Sequence, residues 1–118
     1  MAECVVKVNP DDIEWKEQKP FTGVLRKELY KNQKTGQAFQ LLTYKEGYVE
    51  PRHTHHKGGH AIYVIRGAIV DAKTNEVLVP EGHFWYAPKG DVHGPFKNPP
   101  GTLILFITDC ALDFVVIE

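Results

Sequence analysis

The sequence predicts a single all-β domain, either a sandwich or a barrel. Short runs of β-branched, aromatic and aliphatic residues recur along its 118 residues, and glycine and proline interrupt them at regular intervals. No stretch shows convincing apolar periodicity for a helix of three turns. A closed barrel also disposes of exposed sheet edges, which would otherwise pair with other chains.

The first third of the chain predicts a short β-prone start and a hairpin. Residues 5–8 are valine-rich and end at Asn9-Pro10, and residues 11–15 form either a capped turn or a short strand. Residues 21–31 and 37–44 alternate as strands, and the loop at 32–36 joins them, with Gly36 supplying a positive φ.

The rest of the chain predicts a series of short strands separated by turn residues. Their ranges are 52–55, 60–66, 68–71, 77–79, 83–87, 93–97, 103–108 and 114–117. If His60 faces inward, alternation turns Ile62 and Val64 inward and Tyr63 and Ile65 outward. The aromatic and aliphatic residues expected in the core or lining a pocket are Phe39, Leu41, Trp85, Phe96, Leu103 and Leu105.

Composition narrows the classes of function. The formal net charge is −1, with 25% charged and 42% hydrophobic residues, so there is no basic field for nucleic acid or an anionic membrane. Two cysteines, Cys4 and Cys110, do not make a disulfide framework and are expected to be free thiols. The beginning of the chain does not resemble a signal peptide, and the longest apolar run, 103–107, is too short to span a bilayer. A cytoplasmic location is therefore expected.

Four histidines carry the functional signal. His53 and His55 are two residues apart, so on an extended chain both imidazoles point to one face. Gly58-Gly59 provides a reversal that brings His60 back towards them, and a turn around Pro88 and Gly90 delivers His93 onto another strand. Imidazole is the commonest protein ligand for borderline divalent metals, so this spacing predicts one metal site.

These residues resemble the two motifs of the cupin family. The first motif corresponds to Gly47-x5-His53-x-His55-x4-His60-x6-Gly67, and the second to Gly82-x5-Pro88-x-Gly90-x2-His93-x3-Lys97. The sequence departs from the family pattern at His60, where glutamate is usual, and at Lys97, where asparagine is usual. The resemblance implies a jelly-roll β-barrel (double-stranded β-helix), a metal held by His53, His55, His60 and His93, and a homodimer.

The resemblance also implies how the domain is organised. Residues 1–118 are expected to form one cupin domain, with N-terminal strands in 1–46, the barrel core in 47–109 and a C-terminal strand in 110–118. A nitrogen ligand set suits Fe(II), Zn, Ni, Mn or Cu, and Fe(II) is the favoured ion. Four neutral imidazoles leave the site more positive than a set with one carboxylate, which favours anionic oxygen chelates.

Three functions follow from such a site. The first is a metal-dependent oxidoreductase of the dioxygenase type, acting on a small enolisable or anionic oxygen compound. The second is a non-catalytic protein that uses the metal to bind a carboxylate or a sugar, and the third is an isomerase or lyase. The sequence counts modestly against the third, because Glu46, Glu50, Glu81 and Asp91 are all expected in loops, with no carboxylate facing the metal.

Overall fold

The structure is a computed structural model that describes residues 5–118, and these residues form strands with one short 3-10 helix, Pro10–Asp12. The strands are β1 (Lys16–Gln18), β2 (Phe21–Lys31), β3 (Ala38–Tyr44), β4 (His53–Thr54), β5 (His60–Arg66), β6 (Ile69–Val70), β7 (Val77–Val79), β8 (Phe84–Ala87), β9 (Val92–His93), β10 (Leu103–Thr108) and β11 (Val115–Val116). The all-β prediction is confirmed. Within the described range, no helix is long and apolar enough to cross a membrane.

The strands form three antiparallel sheets. The largest has the order β1-β2-β3-β10-β5-β8, a smaller one has the order β11-β4-β9, and β6 pairs with β7. His60 on β5 lies next to His93 on β9, with ring centroids 5.1 Å apart, so the two larger sheets meet at the histidines. The strands of the small sheet are only two residues long, yet they carry two of the four predicted ligands.

The core lies between the sheets and is lined by alternate residues of the long strands. Its buried members are Phe21, Val24, Leu42, Tyr44, Ile62, Val64, Ile69, Val79, Phe96, Ile104 and Phe106. Full burial of an aliphatic side chain of this size contributes about 1.5–3 kcal/mol relative to exposure. Ile62 and Val64 face inward, and Tyr63 and Ile65 are exposed, as the alternation around His60 predicts.

The predicted core was wrong about which face of β3 and of β10 is buried. On β3 the buried residues are Ala38, Gln40, Leu42 and Tyr44, while on β10 they are Ile104, Phe106 and Thr108. The expected core residues Phe39, Leu41, Leu103 and Leu105 are only half-buried, on the opposite face. Both faces of these strands carry large apolar side chains, so alternation alone does not indicate which face is inside. Phe96 is buried in the core, and the half-buried Trp85 lines a cavity, so the prediction of core or pocket lining is confirmed for these two residues.

Several element boundaries also differ from the prediction. Residues 5–8 form no strand, and Val5, Val6 and Val8 are exposed. The turn alternative for residues 11–15 is confirmed by the 3-10 helix, whereas β1 was missed. The strand predicted at 93–97 reduces to β9, which ends at His93, and to two isolated bridges that Phe96 makes with Glu50 and Asp71. Within residues 5–118 Cys110 has no disulfide partner, and Cys4, the other predicted free thiol, lies outside the described residues.

A glycine holds the chain close to the predicted ligands. Gly94 follows His93 directly and has a φ of +89°, a conformation that side chains with a Cβ rarely adopt. A Cβ at this position would lie 3.0 Å from the carbonyl oxygen of Pro51 and 3.1 Å from the Cα of Arg52. The glycine therefore allows the chain leaving β9 to pass close to the segment that precedes His53.

Candidate metal centre

The fold brings all four predicted histidines into its interior. His53 on β4 and His93 on β9 are direct register partners, His55 follows β4, and His60 begins β5. Their exposed fractions are between 2% and 8%, which is unusual for histidine unless its nitrogens have partners. The Nε2 atoms of His53 and His93 lie 3.1 Å apart.

Hydrogen bonds to backbone carbonyls fix the orientation of two of these imidazoles. Nδ1 of His53 lies 2.7 Å from the carbonyl oxygen of Pro51, and Nδ1 of His55 lies 2.6 Å from that of Asp113. A carbonyl oxygen can only accept a hydrogen bond, so in both rings Nδ1 carries the proton. In a neutral imidazole Nε2 then keeps its lone pair, which is the arrangement that metal-ligating histidines adopt.

The third ring, His93, is held in a similar way by a carboxylate. Its Nδ1 lies 3.2 Å from Oδ2 of Asp91, so Nδ1 is the donor and Nε2 is left with a lone pair. The Nε2 lone pairs of His53 and His93 thus meet with no hydrogen between them, and Nε2 of His55 is buried without a hydrogen-bond partner in the described structure. Such an arrangement is unfavourable by itself and fits a shared cation.

The potential ligand atoms of His53, His55 and His93 all lie within 4.8 Å of one another. Three imidazoles with open coordination positions beside them are a common set for a catalytic metal. We therefore describe the site as a three-histidine cluster, composed of His53, His55 and His93.

His60 lies at the edge of the three-histidine cluster rather than within it. Its Nε2 is 3.5 Å from Nε2 of His93, and its Nδ1 is buried without a partner among the residues that the structure describes. Its ring packs against Phe106, with centroids 4.8 Å apart. Among the described residues no acceptor fixes this ring through Nδ1, as one does in the other three, and its Nε2 contacts only that of His93. The four-histidine ligand set predicted from the sequence therefore remains a prediction.

Burial keeps the imidazoles neutral. Desolvation lowers the pKa of His53 to about 4, opposed by its hydrogen bond to Pro51 and assisted by the charges of His93 and His55. Desolvation and the neighbouring histidines lower the pKa of His60 to about 3. Burial also lowers the pKa of His55 and of His93. At neutral pH all four rings are in the form that binds metals.

Aromatic side chains enclose the cavity beside the three-histidine cluster. Its volume is about 30 Å³, which is close to the space of one water molecule in the liquid. The aromatic residues that line it are Phe21, Tyr44, Trp85, Phe96, Phe106 and Phe114. The ring of Phe114 meets that of His55 edge-on at 4.8 Å. These rings limit access of water to the ligand nitrogens and leave room for a metal with a small oxygen donor.

The sequence reasoning missed one carboxyl group in this cavity. Glu50 lies in a loop as predicted, but it lines the same cavity as the histidines, and burial raises its pKa to about 8. Its backbone pairs with Phe96 through two hydrogen bonds of 2.8 and 2.9 Å. The prediction that no carboxylate faces the site rested on the loop position of Glu50 and was wrong, because a loop residue lines this cavity. Strict alternation would also have placed residue 50 on the face opposite His53. The one available signal was Pro51, which interrupts a strand and with it the alternation.

The remaining histidines play no part in this centre. His56 and His83 are both exposed. The backbone N–H of His56 donates to the Asp113 side chain at 2.9 Å, and its ring lies outside the cavity.

Comparisons with solved structures identify the fold. A polyketide cyclase, RemF from Streptomyces resistomycificus, superimposes with a TM-score of 0.74 at 17% identity, over 98% of this chain and 87% of that one. A putative acetylacetone dioxygenase from Methylibium petroleiphilum gives a TM-score of 0.72 at 16% identity, over 100% of this chain and 86% of that one.

KdgF from a Halomonas species gives a TM-score of 0.70 at 20% identity, over 91% of this chain and 94% of that one. At these identities the likeness shows the fold alone, and it confirms the predicted jelly-roll barrel. A search of curated proteins returned no match.

The match to a family is more direct. Residues 4–113 match the ChrR Cupin-like domain, which covers most of the chain and both of the histidine motifs. The chain belongs to the ChrR cupin-like family.

Proposed function

We propose that this protein is a metal-dependent oxidoreductase of the dioxygenase type, with a small enolisable or anionic oxygen compound as its substrate. The observation that carries the proposal is the convergence of three Nε2 lone pairs, of His53, His55 and His93, in an enclosed aromatic cavity. Fe(II) is the favoured ion, and Zn, Ni, Mn or Cu would also fit a nitrogen ligand set. His60 is proposed as a fourth ligand. The likeness to a putative acetylacetone dioxygenase supports a β-dicarbonyl compound as the first substrate to test.

A bound metal would act as a Lewis acid and as a template for a chelating substrate. The chain itself supplies orientation and exclusion of water. The carbonyls of Pro51 and Asp113 hold two imidazoles in one tautomer, so their lone pairs need no rearrangement when the metal binds. Phe114 and Trp85 line the cavity and keep it apolar, which strengthens any electrostatic interaction with an enolate oxygen.

Oxygen consumption tests this proposal. Protein loaded anaerobically with Fe(II) is mixed with acetylacetone in aerated buffer, and uptake is followed with an oxygen electrode. We expect uptake that requires both metal and diketone and that disappears in His53→Ala. The matched control is His56→Ala, which removes an exposed imidazole beside the site and should leave uptake unchanged. A panel of diketones and keto acids that bind but cause no uptake would contradict the proposal and favour the non-catalytic binding protein.

Glu50 favours a second function, a metal-assisted isomerase or lyase. Such reactions need an acid or base within reach of the substrate, and Glu50 is a carboxyl group in the same cavity with a pKa near neutrality. The test is exchange of a substrate C–H for deuterium in D2O without oxygen, followed by NMR. Exchange that is lost in Glu50→Gln, together with a silent oxygen electrode, would select this function over the dioxygenase.

We also propose that two copies of the chain associate. The outer face of the largest sheet is apolar, with Tyr63, Ile65, Phe84 and Tyr86 exposed, and Phe84 is 64% exposed. An exposed apolar patch of this kind commonly marks a protein interface. Sedimentation velocity should give a dimer for the wild type and a monomer for Phe84→Lys. A wild-type monomer would refute this part alone. A cytoplasmic location remains part of the proposal.

A further inference from the structure

A groove of about 540 Å³ lies beside the histidine cavity. Its walls come from β1 and β2, from inward residues of β3 and β10, and from the segment 110–114. Three residues, Gln18, Phe106 and Phe114, line both the groove and the histidine cavity, so the two spaces adjoin. The histidine cavity has the volume of about one water molecule, whereas the groove has the volume of a ligand pocket. The histidine cavity therefore has room for the chelating oxygens of a substrate, and the groove has room for the rest of it.

The groove contains a buried polar group that no protein contact explains. Gln40 occupies an inward position of β3, between Ala38 and Leu42, and is 8% exposed. Its Oε1 is buried and has no hydrogen-bond partner among residues 5–118, although Gln40 lines the groove. Buried amide groups in proteins are nearly always hydrogen-bonded, and an apolar residue at this position would serve the core better. A ligand that donates an N–H or O–H would satisfy Oε1.

The charges around the groove favour a ligand that carries an anionic group. Four cationic side chains line it, those of Lys16, Lys19, Arg26 and Lys31, against two acidic ones, Glu17 and Glu28. One of the acidic groups is partly engaged elsewhere, because Oε1 of Glu17 lies 4.0 Å from Nζ of Lys45. The groove is thus positive at its polar wall and apolar next to the shared phenylalanines, Phe106 and Phe114.

We propose that the groove binds the body of the substrate, and that the substrate is an elongated anion with an enolisable chelating head. The head lies at the histidines, an apolar or aromatic body lies against Phe106 and Phe114, and a donor group of the body bonds to Gln40. A carboxylate at the far end lies among the four cationic side chains. This inference rests on the proposed function, because it assumes that the metal cavity receives the head.

The probe is 4-(acetoacetylamino)benzoate, which combines a β-dicarbonyl head, an amide N–H, an aromatic ring and a carboxylate. Its binding to protein loaded with Zn(II), which supports no redox turnover, is measured by calorimetry. The comparison compounds are acetylacetone, which is the head alone, the methyl ester, which lacks the charge, and the N-methyl amide, which lacks the donor. We expect the probe to bind at least about tenfold more tightly than the methyl ester, as charge-assisted hydrogen bonds imply.

Two variants assign the effect to the groove. Lys31→Met should weaken binding of the probe but not of its methyl ester, whereas Lys73→Met, at an exposed lysine of another turn, should change neither. Gln40→Met should weaken binding of the probe and leave the N-methyl amide unaffected. The thermal stability of the Gln40→Met variant should stay level or rise, because the substitution removes an unpaired buried acceptor. Gln33→Met, in the exposed hairpin loop, is the matched control.

The outcomes separate this inference from the proposed function. If acetylacetone binds and the probe binds no more tightly than acetylacetone or its own methyl ester, the groove proposal is wrong and the metal site stands. If Gln40→Met lowers stability and leaves probe binding intact, Gln40 has a structural role and the donor contact is refuted. If neither acetylacetone nor the probe binds the Zn(II)-loaded protein, the proposed function and the groove proposal both fail.

Discussion

Nε2 of His53 and Nε2 of His93 lie 3.1 Å apart, on residues that face each other across paired strands β4 and β9. The Nδ1 protons of both rings are engaged elsewhere, by Pro51 and Asp91, so neither Nε2 can donate to the other. We therefore expect His53→Ala to lower metal affinity by more than about 100-fold. That loss is larger than the loss caused by removing only a hydrogen bond that orients a metal ligand. Competition with a chromophoric chelator measures the affinity.

The same variant should remain folded. The apolar core of the large sheet does not depend on His53, so circular dichroism should show native strands in metal-free His53→Ala. Unfolding of the variant, with a wild-type protein that stays folded without metal, would show that the ring holds the fold together instead of serving a metal.

Substitution of His60 distinguishes a four-histidine ligand set from a three-histidine one. If it is a ligand, His60→Ala should weaken metal binding at least about tenfold, and His60→Glu should restore much of the affinity by supplying a carboxylate ligand. If metal affinity is the same in wild type, His60→Ala and His60→Glu, then His53, His55 and His93 suffice and His60 only packs against Phe106.

The stability of the metal-free protein should depend on pH in two opposing ways. The pKa of His53 is lowered to about 4 and that of His60 to about 3, so below pH ~6.5 the unfolded chain binds protons that the folded chain does not. Stability therefore falls as pH drops from about 6.5 towards 4, by about 1.4 kcal/mol per pH unit for each such proton.

Glu50 acts in the opposite direction. Its pKa is raised to about 8, so between about pH 4.5 and 8 the folded chain binds the proton that the unfolded chain has lost, and stability falls as pH rises. Urea titrations of the metal-free protein should show a maximum near pH 6–7, and Glu50→Gln should remove the decline between pH 7 and 8. A decline that persists in Glu50→Gln would place the titrating group elsewhere.

Metal binding should survive to a lower pH than ordinary histidine would allow. An imidazole with an unperturbed pKa gives up a metal near pH 6. Burial lowers the pKa of His53 to about 4 and also lowers the pKa of His55 and of His93, so we expect affinity to begin to fall only at a pH lower than 6. Loss of metal by pH 6 with the fold intact would show that the rings are hydrated in the metal-free protein.

The core makes a prediction independent of the site. Ile104 is fully buried in the middle of β10, so Ile104→Ala should lower the free energy of unfolding by about 2–5 kcal/mol. Leu105→Ala, at the neighbouring half-buried position on the outer face, should cost clearly less in a monomer. Chemical denaturation at pH 7 measures both, and equal losses would contradict the inward assignment of Ile104.

The spacing of the histidines predicts much of the site. Side chains two residues apart on a strand share one face, and a glycine turn reverses the chain, so both effects act over a few residues and can be seen in the sequence. His53 and His55 lie together for that reason, and their neighbour His93 is placed by the register of β4 and β9. The partner that fixes the His55 tautomer is Asp113, which lies 58 residues away in the sequence. Contacts of that range depend on the closed barrel and leave no trace in local spacing.

The errors have two physical sources. On β3 and β10 both faces are apolar, so the sequence alternates between two hydrophobic sets, and only the closure of the barrel decides that Gln40 and Phe106 are inside. At Glu50 the alternation of side chains along β4 does not apply, because Pro51 interrupts the strand between Glu50 and His53. Because of the first error, the apolar outer face of β3 and β10 was not predicted. Because of the second, the carboxyl group of Glu50 was not predicted to line the cavity.

The most direct test of the account is elemental analysis of protein purified without an affinity tag. The wild type and His56→Ala should each contain about one divalent transition metal ion per chain, whereas His55→Ala should contain less than about a tenth of that. Equal metal content in His55→Ala and the wild type, or a wild type that takes up no divalent transition metal when supplied with Fe(II), Zn(II) or Ni(II), would contradict it.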